Sequence, residues 1–320
     1  MKKLLLSVVG MLFAATSFAQ NTLVASLSHG ETVTYFYGGK ALQQAVAAAA
    51  SGDIITLSEG IFEAVNIEKA IVLRGVGIDI ENPTYINGEF YIDIPSSDAN
   101  QFTMEGITCQ EKVTIKGTFS NPYFVKSYVL QIAGNDETDA VSNIMIVNCK
   151  VPNGVGVRGT SSVYLVNSFS GDIGRAETAT VTATNCVLCT YPAGGRFDNS
   201  QLYNCILYCP GSSENGLSGT CKAYNCITTR VGPSSRYWYN IFHSACVNCT
   251  FDVENVFTDT DTFEINDVIK ENYKGTDGTE VGIYGGLQPY NATPSYPVIK
   301  SLDVDSQTDS QGKLNATVKY

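Results

Sequence analysis

The sequence predicts an all-β fold, a right-handed parallel β-helix closed by an N-terminal capping helix and a small C-terminal β element. Three observations predict it. An asparagine followed by cysteine or serine returns six times, at Asn148, Asn167, Asn185, Asn204, Asn225 and Asn248, at intervals of 19, 18, 19, 21 and 23 residues. A recurrence in this range marks a repeat architecture. Small or apolar residues stand two and four positions before each asparagine, as in Ile144 and Ile146 before Asn148 or Val163 and Leu165 before Asn167. That alternation describes a strand with one buried face. One and three positions after the asparagine the side chains are again small or apolar, as in Cys205 and Leu207, so a second strand starts there.

Each unit is therefore strand, tight turn, strand and variable loop, one coil of a solenoid. Asparagine suits the turn because it tolerates the left-handed backbone and its amide can bond nearby backbone groups. Coils stack about 4.8 Å apart, which predicts a ladder in which each of the six amides donates to the next. A leucine-rich repeat also carries asparagine after apolar alternation. Its asparagine falls three residues beyond the last apolar position, whereas here the gap is two throughout, and the leucine spine is missing.

The elements follow in order. Residues 1–19 carry Lys2 and Lys3, the apolar run LLLSVVGMLFAA and the small-residue pattern ending at Ala19, the pattern of a secretory signal peptide. No cysteine follows to take a lipid, so the chain is expected to be secreted, periplasmic or at the cell surface. No later stretch reaches the roughly 18 apolar residues of a membrane span. Residues 20–52 hold an N-terminal strand and the helix former KALQQAVAAAA. Residues 53–257 form the β-helix, whose open strand edges need caps at both ends. Residues 258–320 supply the second cap and a β-hairpin, with TDSQG turning between two alternating runs.

Of 20 basic side chains, Lys2 and Lys3 fall in the signal peptide, leaving 18 against 31 acidic ones. That balance disfavours nucleic acid as a partner. Between Val141 and Phe251 it reverses. Lys150, Arg158, Arg175, Arg196, Lys222, Arg230 and Arg236 stand there against Asp172, Glu177, Asp198 and Glu214. Arg158, Arg175, Arg196 and Arg236 fall 8 to 11 residues after their asparagines and can form a stripe, and Tyr208, Trp238 and Tyr239 offer rings that stack on sugars. The expected partner is a polysaccharide, more specifically an acidic glycan on the central coils.

Five cysteines share one inward column, Cys149, Cys186, Cys205, Cys226 and Cys249, interrupted by Ser168. In-register β-carbons of a parallel stack stay nearer 4.8 Å than the roughly 3.8 Å a relaxed disulfide wants. The column is expected to be packed thiols, with crossings to Cys189, Cys209, Cys221 or Cys246 left open.

The stretch ALQQAVAAAASGDIITLSEGIFEAVNIEKAIVLRGVG, Ala41 to Gly77, resembles the opening of secreted right-handed β-helix proteins of the pectate lyase superfamily. GTDGTEVGIYGG, Gly275 to Gly286, resembles the closing motif of such domains in secreted Bacteroidetes proteins. The resemblance implies the fold and leaves activity open, because lyases, hydrolases, epimerases, adhesins and tailspikes share it. RVGPSSRYWYN is similar to the R-x-P-x-x-R motif of pectate lyases, with one extra residue before Pro233 and without the following Gly and His. It implies Arg230 and Arg236 as catalytic bases, with Asp172 and Asp198 on a Ca²⁺ cofactor, in a calcium-dependent lyase. The paired-carboxylate motifs of polygalacturonases are missing, and His243 stands alone. A structural or adhesive surface protein is the third expectation, beside glycan binding and lyase activity.

Overall fold

Strands with one apolar face need a second surface to cover it, and parallel stacking of short coils supplies it from within the chain. The computed structural model describes residues 23–136, 138–171, 173, 179–189, 199–208, 221–229, 246–298, 301–304, 311 and 316–319. The expected signal peptide lies outside them. The fold is a parallel β-helix of the right-handed type. No helix among the described residues is long and apolar enough to cross a membrane.

The chain opens with strands β1 (Val24–His29) and β2 (Thr32–Tyr37), an antiparallel hairpin. β1 also pairs antiparallel with β3 (Ile54–Leu57), the first strand of the stack. Helix α1 (Ala41–Ala48) buries Ala41, Leu42, Ala45 and Val46. It has no basic residue in its last turn, and Lys69 fills that role from the next coil, its Nζ donating to the carbonyls of Val46, Ala47 and Ala49 at 3.3, 3.3 and 2.6 Å. A cation placed there satisfies carbonyls that lack helical partners and complements the helix dipole.

Two long sheets run the length of the stack. In the first, Ile146, Leu165, Ala183, Leu202, Ala223 and Cys246 stand in register on successive coils. In the second, Val151, Ser170, Leu188, Leu207 and Thr228 turn inward and are buried. The core is thus the space between the two inner faces, filled by the columns the asparagine period predicts.

The six asparagines sit at the corner between the sheets with φ between 46° and 54°. An ordinary residue loses about 1–2 kcal/mol in this left-handed region. Earlier coils make the same corner with Lys126 at φ 49° and Gly106 at φ 68°. The turn is fixed by backbone bonding. Each corner N–H up to Asn225 donates to the carbonyl before the next coil's corner, as in Lys126 to Val147 at 3.0 Å and Asn204 to Tyr224 at 3.1 Å.

The residue after the corner completes the turn. Ser127, Ser168, Cys186, Cys205 and Cys226 each donate to the carbonyl two residues back, at 2.8 to 3.3 Å. Ser168 Oγ and Cys226 Sγ also accept from the N–H of Cys149 and Cys205 on the preceding coil. Serine and cysteine exchange in this column because the job needs a short side chain that both donates and accepts. The nine described cysteines are all free thiols, and Cys209 lies outside the described residues.

The amide ladder is corrected by the structure. Among the described residues one rung of it forms, Asn225 Nδ2 to Asn204 Oδ1 at 3.0 Å. The other contacts of these amides go to a segment from the C-terminal part of the chain. Asn225 donates to Lys274 O at 2.7 Å, Asn204 exchanges bonds with Thr276 at 3.3 and 3.1 Å, and Asn167 donates to Ile283 O and Gly285 O at 2.8 and 2.7 Å. The carbonyls of an incoming backbone compete with the neighbouring amide and win. The glycines of the GIYGG stretch are the condition for this approach. A Cβ on Gly286 would strike the Asn185 amide, and one on Gly282 would strike Ile206.

This segment follows helix α2 (Asp267–Asn272), whose N-cap Asn266 accepts from Val268 N at 2.9 Å. It then runs back along the corner towards the first coils. Tyr290 reaches Asp79, Ser295 donates from its backbone N–H and its hydroxyl to the buried Glu105 carboxylate, and Tyr296 donates to the Gly75 carbonyl at 2.7 Å. The chain ends in an antiparallel hairpin, Ser301–Val304 with Ala316–Lys319.

Removing the amide of Asn204, itself buried, breaks its part-buried bonds to Thr276 and Asn225, whereas no side-chain bond among the described residues holds Asn248. Asn204→Ala is therefore expected to destabilise the fold by about 1–3 kcal/mol more than Asn248→Ala, measured by urea unfolding. Equal losses at the two sites would show that the amides do not hold the C-terminal segment.

Candidate ligand-binding face

The outward residues of the first sheet are aligned by the same register that aligns the core. Thr103, Tyr123, Met145, Tyr164, Thr182, Gln201 and Lys222 stand one above another on seven successive coils. Beside this column, Asn121 and Asn143 occupy a second left-handed corner, at φ 60° and 55°. Gln101, Asn121, Asn143, Met145 and Tyr164 together line a groove of about 400 Å³.

The groove is preorganised by bonds between coils. Asn143 Nδ2 donates to Asn121 Oδ1 at 3.1 Å, Asn143 N–H donates to Ser162 Oγ at 2.8 Å, and Gln101 Nε2 donates to Asn121 O at 2.9 Å. Asn121 Nδ2 and Asn143 Oδ1 have no bond among the described residues, which leaves an amide NH2 group and a carbonyl oxygen for a ligand. Tyr164 is 39% exposed above them. Tyr123 is partly buried, and burial pushes its hydroxyl above the ordinary tyrosine range, reinforced by Cys149 and Glu105. It stays neutral at physiological pH. Further along, Tyr203 and Tyr224 stack with centroids 5.0 Å apart and planes 8° apart, and Tyr203 donates to Gln201 Oε1 at 2.7 Å. The aligned column contains no acid, and its one charge is Lys222. Planar amides, hydroxyls and exposed rings on a rigid sheet suit a polyhydroxylated chain, which offers donors and acceptors around apolar ring faces.

The expected site residues are placed as follows. Arg158 is exposed beside Asp136, away from the groove lining. Tyr208 packs into the C-terminal cap, its ring 5.2 Å from Phe257 and 6.3 Å from Phe263. Lys150 pairs with Asp79 at 3.1 Å and lies 5.8 Å from the centroid of the Tyr290 ring, so part of the basic run is engaged within the fold. Arg175, Arg196, Arg230, Arg236, Trp238, Tyr239, Asp172, Asp198 and His243 lie outside the described residues. Among the described residues, no three His, Cys, Asp or Glu side chains are gathered to hold a metal. The groove itself was missed. Its signal was available in Asn121 and Asn143, 22 residues apart and each just ahead of a strand, but neither is followed by Cys or Ser.

Comparison with known proteins finds no matching family model, no matching curated protein and no matching solved structure.

Because Tyr208 closes an aromatic cluster, Tyr208→Ala is expected to lower stability by about 1–3 kcal/mol in thermal or urea unfolding. Unchanged stability would show that the ring contributes nothing to the cap.

Proposed function

We propose that this is an exported polysaccharide-binding protein that lays a glycan chain along the outer face of its first sheet. The observation that carries the reading is the groove of Gln101, Asn121, Asn143, Met145 and Tyr164, continued by the aligned column to Gln201 and Lys222. A linear glycan and a stack of identical coils are both one-dimensional repeats, so successive sugars meet successive coils. The resemblance to secreted β-helix proteins of the pectate lyase type supports export and a polysaccharide partner. Lys222, the one charge of the aligned column, favours an acidic glycan. Binding is non-catalytic in this reading, because the groove offers neutral donors and acceptors and no paired carboxylates.

A glycan array followed by calorimetry on the hits tests this. Asn143→Gly, which keeps the left-handed corner while removing the amide, and Tyr164→Ala should each weaken binding about tenfold, the equivalent of roughly 1.4 kcal/mol. Lys222→Gln should reduce the salt dependence, since exposed charge contacts are screened within about 8 Å at physiological ionic strength. An array with no glycan hit, or hits indifferent to both groove substitutions, overturns the proposal. Release of an unsaturated product from a uronate polymer with calcium would overturn its non-catalytic part.

A further inference from the structure

The last corner of the first sheet differs from those before it. Each corner brings two inward side chains together, one two residues before the left-handed residue and one just after it. These pairs are Phe124 and Ser127, Ile146 and Cys149, Leu165 and Ser168, Ala183 and Cys186, Leu202 and Cys205, Ala223 and Cys226, then Cys246 and Cys249. Among the described corners, the last alone has thiols at both positions. Asn248, at φ 54°, folds the chain between them, and Cys246 stands in register with the inward Ala223 of the coil before. Cys149, Cys186, Cys205 and Cys226 are closed off in the core, whereas Cys246 and Cys249 are only partly buried because their strand ends the first sheet.

We propose that Cys246 and Cys249 form a redox-active dithiol, which low-molecular-weight or protein disulfides oxidise to a disulfide across the terminal corner. The two thiols are unequal. Hydrogen bonds from the Cys226 and Cys246 side chains hold the Cys249 thiol well below the ordinary range, and Cys246 is pushed up by donating to Cys249 and by burial. The thiolate is the attacking species. Cys249 S⁻ attacks one sulfur of the oxidant RSSR, forming Cys249–S–S–R and releasing RS⁻. Cys246 gives up its proton to solvent, attacks the Cys249 sulfur and expels the second RS⁻. Two electrons pass from the protein thiols to the oxidant. The competing partner, Cys226, is 1% exposed and one coil away. The coil spacing of about 4.8 Å exceeds the roughly 3.8 Å that disulfide β-carbons favour.

Peptide mapping of the folded full chain tests this without a variant. Reduced protein is incubated with oxidised glutathione, alkylated, digested with trypsin and compared with a dithiothreitol control. The peptide 237–270 contains both Cys246 and Cys249, and the peptide 223–230 contains Cys226. Oxidation should remove both alkylation sites and two hydrogens from the first peptide and leave the second alkylated. In Cys246→Ser, Cys249 should retain a glutathione adduct that dithiothreitol removes. Full alkylation of Cys246 and Cys249 after oxidation overturns the proposal, as does a link between the two peptides.

Discussion

Everything in this fold depends on a backbone that turns left-handed once per coil. The corner brings the strand before it and the strand after it onto two sheets, and its N–H donates to the next coil, so turn and stacking are one interaction. Asparagine is the side chain best able to hold that conformation without being glycine. Cysteine or serine follows because the inner side of the corner has room for a short group that bridges the turn. A dipeptide that looks like a signature for chemistry is thus a solution to backbone geometry, repeated wherever the chain must bend.

The same corner has an outer side, and the chain uses it. Amides free to bond each other instead receive the backbone of residues 274–286, and this segment continues to Glu105 and Gly75 near the start of the stack. Its chemistry explains residues that otherwise look unrelated. Glu105 is buried and bonded to Ser295, Lys150 pairs with Asp79 beneath Tyr290, and Arg74 lies 4.6 Å from the Tyr296 ring. The charge of Lys150, part of the basic run, is met by Asp79 within the fold.

What the sequence made legible was whatever repeats. The period, the inward columns and the left-handed asparagines follow from local chemistry that each coil states again. Corners at Lys126 and Gly106 escaped because the conformation is conserved there while the residue type is not. The ladder was misjudged for a different reason. Its competitor lies more than 70 residues away from Asn204 in sequence, and no local pattern announces which backbone will arrive. The packing of Tyr208 was hidden for the same reason, since the Phe257 and Phe263 that its ring meets come from the cap. The groove needed two half-signals, Asn121 and Asn143, that become one feature only when coils are stacked.

A stack of coils that touch only their neighbours behaves as a chain of nearly independent links, and it can fray from an open end one link at a time. The C-terminal segment changes that arithmetic by bonding coils that are otherwise strangers. To release the coil at Gly75, bonds from Tyr296 must break, and Tyr296 belongs to the same run of chain that is fastened to Asn167, Asn204 and Asn225. Fraying at one end therefore tugs on the middle, and the ladder acquires the all-or-none character of a globular domain. It also sets an order of assembly. The coils can stack as they emerge, but the seam along their corner closes only after residues 274–296 have been delivered.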